Sequence, residues 1–160
     1  MTMDPRRLIA PALACVILAA CQTSHTPSAP AGPDGPAFMA ANAQAPGVVS
    51  AEGLEYKVLQ SGPADGAHPT PDDDVTVEYE GRLLNGKVFD ATQPGQPVTF
   101  QLGGLIRGWI AGLQLMRPGD EWMLWIPPDL AYGADATGPI PGNSVLAFRL
   151  KLVSVQPHKD

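Results

Sequence analysis

Apolar and polar residues begin to alternate with a period of two at Leu54. Leu54, Tyr56 and Val58 are separated by Glu55 and Lys57, and Val75, Val77 and Tyr79 by Thr76 and Glu78. The pattern predicts half-buried strands, because successive side chains on an extended chain point to opposite faces. Val98, Phe100 and Leu102 repeat it, and Trp122 to Ile126 form a compact apolar run. Leu146, Phe148, Leu150 and Leu152 share one face of a last strand over 145–155. Asn85-Gly86 is a hairpin signal, since both residue types tolerate positive φ. One stretch changes period: Ile106, Trp109, Ile110, Leu113 and Met116 follow helical spacing, ended by Pro118-Gly119. Gly108 and Gly112 each weaken an isolated helix by about 1 kcal/mol relative to Ala; in exchange they let a sheet approach closely. The prediction is an α+β domain in which about five antiparallel strands wrap around one short helix.

The chain before Leu54 follows neither period. Residues 1–20 carry Arg6-Arg7 and then run apolar from Leu8 to Ala20, the layout of a secretory signal peptide. The run is shorter than the roughly 20 residues a membrane span needs. Leu18-Ala19-Ala20-Cys21 resembles the bacterial lipobox, which implies cleavage before Cys21, its acylation, and attachment to a lipid bilayer. By the same resemblance, Gln22 in place of Asp implies the outer membrane of the cell envelope, facing the periplasm. Residues 22–50 hold five Pro and seven Ala with Asp34 as their one charge. Too little patterned apolar surface is present to offset chain entropy, so residues 21–50 are expected to be a lipid-anchored, disordered tether. Phe38-Met39 is its apolar island. The domain is then expected over 51–156, with a short tail at 157–160.

Composition narrows the chemistry. One hundred and sixty residues accommodate one ordinary domain plus attachments. A net charge of −6 argues against a nucleic-acid surface. The two cysteines both precede residue 22, which excludes a disulfide framework or a zinc–thiolate site. His25, His68 and His158 lack ligand spacing. No metal, cofactor or hydrolytic triad is expected.

Five motifs in order carry more information. Val77-Glu78-Tyr79-Glu80-Gly81, Gly86-Lys87-Val88-Phe89-Asp90, Ile106-Arg107-Gly108-Trp109, Ala131-Tyr132-Gly133 and Ile140-Pro141 together resemble the FKBP family of peptidyl-prolyl cis-trans isomerases, across residues 51–156. The resemblance implies a sheet wrapped around a helix, and catalysis of rotation about X–Pro bonds in unfolded or exported polypeptides. It places Trp109 under the proline ring, with Tyr79, Phe89, Val98, Leu105, Ile106, Ile140 and Phe148 as apolar walls. It assigns Asp90 to the polarity of the site, and the Tyr132 hydroxyl and Ile106 N–H to substrate carbonyls. By spacing alone Trp109 reads as core, and the apolar walls have an equally good core reading. Asp90 reads as a turn or capping carboxylate, and Tyr132 as a buried tyrosine satisfied by a local backbone group. Macrolide binding is a further family property, with a thinner wall where Val98 stands for an aromatic. Residues 91–97 are short and uncharged, and residues 134–139 form a short flap. The Pro-rich 22–50 replaces the long dimerisation helices of some relatives, so a monomer is expected. Two other readings remain open at this stage: a proline-peptide binding or chaperone module with little turnover, and an anchored interaction protein using acidic surface such as Asp72-Asp73-Asp74.

Overall fold

The computed structural model describes residues 34–159. The expected signal peptide over 1–20, the expected acylation site Cys21 and residues 22–33 of the expected tether lie outside the described residues. Seven strands form one antiparallel sheet: β1 (Val48–Ala51), β2 (Leu54–Gln60), β3 (Asp73–Leu83), β4 (Val88–Ala91), β5 (Val98–Gln101), β6 (Glu121–Ile126) and β7 (Leu146–Pro157). Their spatial order is β1-β2-β6-β7-β3-β4, and β5 also pairs with β3. The long central pair β3–β7 runs from Asp73↔Pro157 to Leu83↔Leu146. Helix α2 (Arg107–Leu115) lies against the inner face of this sheet, and α1 (Gly35–Asn42) precedes β1.

The alternation read from the sequence decides which face is buried. Leu146, Leu150 and Leu152 of β7, Leu124 and Ile126 of β6, Val75 and Val77 of β3, and Leu113 of α2 are all essentially inaccessible. A methyl group added at Gly108 would collide with Ile126, and one at Gly112 with Leu124. The two glycines therefore set how near the helix axis comes to β6 and β2. Two carboxylates are buried in this frame. Asp120 accepts the Gly62 N–H at 2.6 Å and the Arg117 N–H at 2.8 Å, binding the loop after β2 to the end of α2. Glu55 accepts from Asn42 Nδ2 at 2.7 Å.

That last contact belongs to a correction. A disordered tether was expected through Ser50, yet residues 35–42 form α1 and residues 48–51 form β1. Pro36 sits in the first helical turn, where its missing N–H costs nothing. Beyond Asn42, the chain is committed by β1 pairing with β2 from Val48↔Lys57 to Ala51↔Leu54. Glu52 and Gly53 make that hairpin turn with φ of 54° and 80°, the left-handed pair that suits a two-residue loop. A tertiary edge overrides a composition that by itself reads as linker. The sheet likewise gains β1 and β4 beyond the five strands expected, and the domain has two α-helices, one of them in the sheet's concavity.

Candidate active site

Between α2 and the β3–β4–β5 end of the sheet lies a cleft of about 230 Å³. Trp109, in the first turn of α2 and 5% exposed, forms its floor. Four aromatic rings from four strands fence the indole. Tyr79 of β3 meets it edge-on at 5.0 Å and 83°, and Phe148 of β7 at 5.2 Å and 84°. Phe100 of β5 stands at 6.3 Å, and Phe89 of β4 packs perpendicular to Phe148 at 5.5 Å. Edge-to-face contacts of this kind are favoured by the ring quadrupoles. The Trp109 indole N–H is buried with no hydrogen-bond partner among the described residues, so packing against its neighbours holds the ring.

Phe89 and Asp90 are neighbours in sequence, yet both line the cleft. A regular strand would send them to opposite faces. The β3–β4 register shifts between Gly81 and Arg82, and such an irregularity re-aims side chains. Gly81 makes room for the result, since a Cβ there would fall 2.5 Å from Phe89 Cζ and 2.7 Å from Phe148 Cε1.

The polar groups are few and convergent. The Tyr79 hydroxyl donates to Asp90 Oδ2 at 2.6 Å. Burial first, then the bond to Asp90 and the negative charge of Asp90, raise the Tyr79 phenol above its ordinary range, so it remains a donor. Ile106 is the N-cap of α2, and its carbonyl accepts from Trp109 and Ile110. Among the described residues its own N–H donates to no backbone or side-chain acceptor. Tyr132 also lines the cleft and is 41% exposed. It leads into a flap closed on itself by Asn143 N–H to Gly133 O at 2.8 Å and by the Thr137–Ile140 bridge.

The structure thus brings Tyr79, Phe89, Asp90, Leu105, Ile106, Trp109, Tyr132 and Phe148 into one cleft. Two expected walls are elsewhere. Val98 is 38% exposed, pairs with Val77, and does not line the cleft. Phe100, two residues on and therefore on the same face of β5, supplies the aromatic wall instead. The period-two pattern contained this residue, and the choice between the two positions depended on how far β5 runs under the cleft. Ile140 is 5% exposed within the core and anchors the flap. Three other hollows are larger, and two of them differ from the cleft in character. One, of about 380 Å³ on the outer sheet face, is lined by opposed charges such as Glu121 with Arg149 and Glu78 with Lys151. The other, about 420 Å³, is a shallow trough along the exposed side of α2. Among the described residues no cluster of His, Cys, Asp and Glu could hold a metal ion.

A sheet folded over one helix, with a narrow aromatic cleft floored by an indole and rimmed by four polar groups, has the size and chemistry that suit a small apolar ring with polar flanks. Comparison with known proteins gives this arrangement its family. The model of FKBP-type peptidyl-prolyl cis-trans isomerases matches residues 66–153, and the chain belongs to that family. It is similar to the peptidyl-prolyl cis-trans isomerase Mip of Coxiella burnetii, 50% identical over 123 residues, covering 75% of this chain and 53% of that protein. It is 47% identical over 125 residues to the outer membrane protein MIP of Legionella longbeachae, covering 76% and 53%. The crystal structure of a peptidyl-prolyl cis-trans isomerase from Pseudomonas syringae matches with TM-score 0.71 and 39% identity, covering 76% of this chain and 90% of that one. The chain spans about half the length of the two curated relatives.

Proposed function

We propose that the chain is a peptidyl-prolyl cis-trans isomerase acting on proline-containing, unfolded or exported polypeptides. The observation that carries the reading is the cleft itself: Trp109 beneath four aromatic rings, with the Tyr79–Asp90 pair and the Ile106 N–H at its rim. Resonance across an X–Pro amide sets a rotation barrier of roughly 20 kcal/mol. The twisted amide has lost that resonance, and its carbonyl points away from the plane it held. A site that fits the twisted form better than either planar form lowers the barrier, and each 1.36 kcal/mol of that difference is tenfold in rate. Trp109 and its fence hold the proline ring in a dry hollow. The Ile106 N–H and the Tyr132 hydroxyl are donors for substrate carbonyls on either side of the ring. Asp90, held by Tyr79, places negative charge beside the rotating group. No bond to substrate forms or breaks, so no nucleophile is required.

The envelope setting rests on Leu18-Ala19-Ala20-Cys21 and on the name of the Legionella relative. The mature chain is a lipid-anchored monomer on this reading, its anchor at Cys21 and its cleft free to meet passing polypeptides. Among the described residues no helix is long and apolar enough to cross a membrane.

The test is acceleration of cis-to-trans isomerisation in a short X–Pro peptide by the full chain, beside Asp90→Asn and Tyr132→Phe. Acceleration that falls in both variants at unchanged fold supports the reading. A folded parent that binds the peptide without accelerating it is a binding module, and the isomerase reading is then wrong.

A further inference from the structure

The outer edge of β3 changes partner within a few residues. β4 pairs with it at Glu80↔Ala91 and Gly81↔Asp90, whereas β5 takes over only at Val77↔Val98. Glu78 and Tyr79 fall in the gap between the two ladders. Thr92 stands opposite Tyr79, at the point where the β4 ladder would continue. Its N–H donates to Tyr79 O at 3.0 Å, one half of an ordinary antiparallel pair. The other half comes from its side chain: the Tyr79 N–H donates to Thr92 Oγ1 at 3.1 Å, and the hydroxyl lies 3.4 Å from Tyr79 O. A side chain completes the ladder where the backbone leaves it for the Gln93–Pro97 loop.

We propose that Thr92 is a positioning residue for the isomerase reaction, its hydroxyl fixing the Tyr79 backbone so that the Tyr79–Asp90 pair is set at the cleft rim. The inference rests on the cleft being the active site. Tyr79 reaches Asp90 diagonally across the β3–β4 pair, since Asp90 stands opposite Gly81 rather than opposite Tyr79. A diagonal contact depends on the relative sliding of the two strands. Thr92 lies two residues after Asp90 and bonds to the same residue that Asp90 bonds to, so it pins both ends of that diagonal. Without the hydroxyl, the Tyr79 N–H faces the mouth of a loop with no acceptor from either neighbouring strand, and β4 is free to shift along β3.

The experiment compares Thr92→Val, which keeps the shape and removes the acceptor, with Thr92→Ser, which keeps the acceptor. Thr92→Val should lower kcat/KM by roughly three- to tenfold, the size associated with one lost neutral hydrogen bond, and Thr92→Ser should restore it. In a Tyr79→Phe background the same Thr92→Val change should have little further effect, because the pair it positions is already broken. Thr92→Ala carries the same comparison if Thr92→Val does not fold. An inactive parent chain overturns both this inference and the isomerase reading. An active parent whose Thr92→Val variant keeps its rate, or loses as much in the Tyr79→Phe background, overturns this inference alone.

Discussion

The Tyr79 hydroxyl reaches Asp90 Oδ2 across 2.6 Å while its ring stands perpendicular to Trp109 at 5.0 Å. One side chain therefore joins the charged rim of the cleft to its apolar floor. The two roles separate by substitution. Tyr79→Phe keeps the ring against the indole and releases the carboxylate. Its expected effect is a several-fold loss of isomerase turnover with a smaller loss of affinity, read from kcat and KM separately.

Burial of Tyr79, together with its bond to Asp90, predicts an alkaline limit. Folded Tyr79 holds its proton above the ordinary phenol value of 10.0. Below that value folded and unfolded chains bind the proton equally, and the stabilisation is complete. As pH rises past 10 the unfolded state loses the proton first, so stability falls with pH. Denaturation midpoints measured from pH 8 to 11.5 should decline above about 10, and the decline should be shallower in Tyr79→Phe.

Gly81→Ala tests the space beneath the rings. The new Cβ would lie 2.5 Å from Phe89 Cζ and 2.7 Å from Phe148 Cε1. Phe148 is nearly buried and cannot swing into solvent. Overpacking of this kind costs about 1–3 kcal/mol, and urea denaturation should show it together with weakened peptide binding.

Gly112→Ala sets two effects against each other. Helix propensity favours Ala by about 1 kcal/mol. The added methyl collides with Leu124, which is fully buried on β6. Steric cost in a packed core is about 1–3 kcal/mol, so the net change should be a lower denaturation midpoint. A higher midpoint would show that α2 can lift from the sheet.

Truncation supplies a further prediction. A chain cut at residue 51 loses β1, the partner of β2, and the Asn42 donor to Glu55. Glu55 is then a buried carboxylate with one fewer partner, at a cost of about 1–3 kcal/mol. Calorimetry on chains beginning at 34 and at 52 should find the shorter one less stable.

Strand and helix periods were readable where a long face is buried. β3, β6, β7 and α2 each repeat apolar residues often enough to declare which side faces in. The short elements had no such repeat. β4 shows only Val88-Phe89 before its charge, and β1 shows Val48-Val49 inside a Pro- and Ala-rich stretch, so pairing partners decide both. The site was readable as motifs in order, which brought Trp109, Asp90 and Tyr132 together across 42 residues of chain. The substitution of Phe100 for Val98 was not, because both sit on one face of β5 and only the strand's position over α2 separates them. Thr92 was hidden for a related reason: a threonine before a loop has no visible partner until β3 is known to change neighbours there.

The strands that bound the sheet are all short. β1, β4 and β5 have four residues each, against eleven and twelve in the central β3 and β7. Long open margins are templates on which extended chains add as extra strands and from which aggregates grow. On the proposed reading this protein works among unfolded polypeptides and meets such chains constantly. With its margins cut into four-residue pieces, this one offers them little backbone to zip onto, and the proposed function then makes the cleft over Trp109 the place where a client is held and let go.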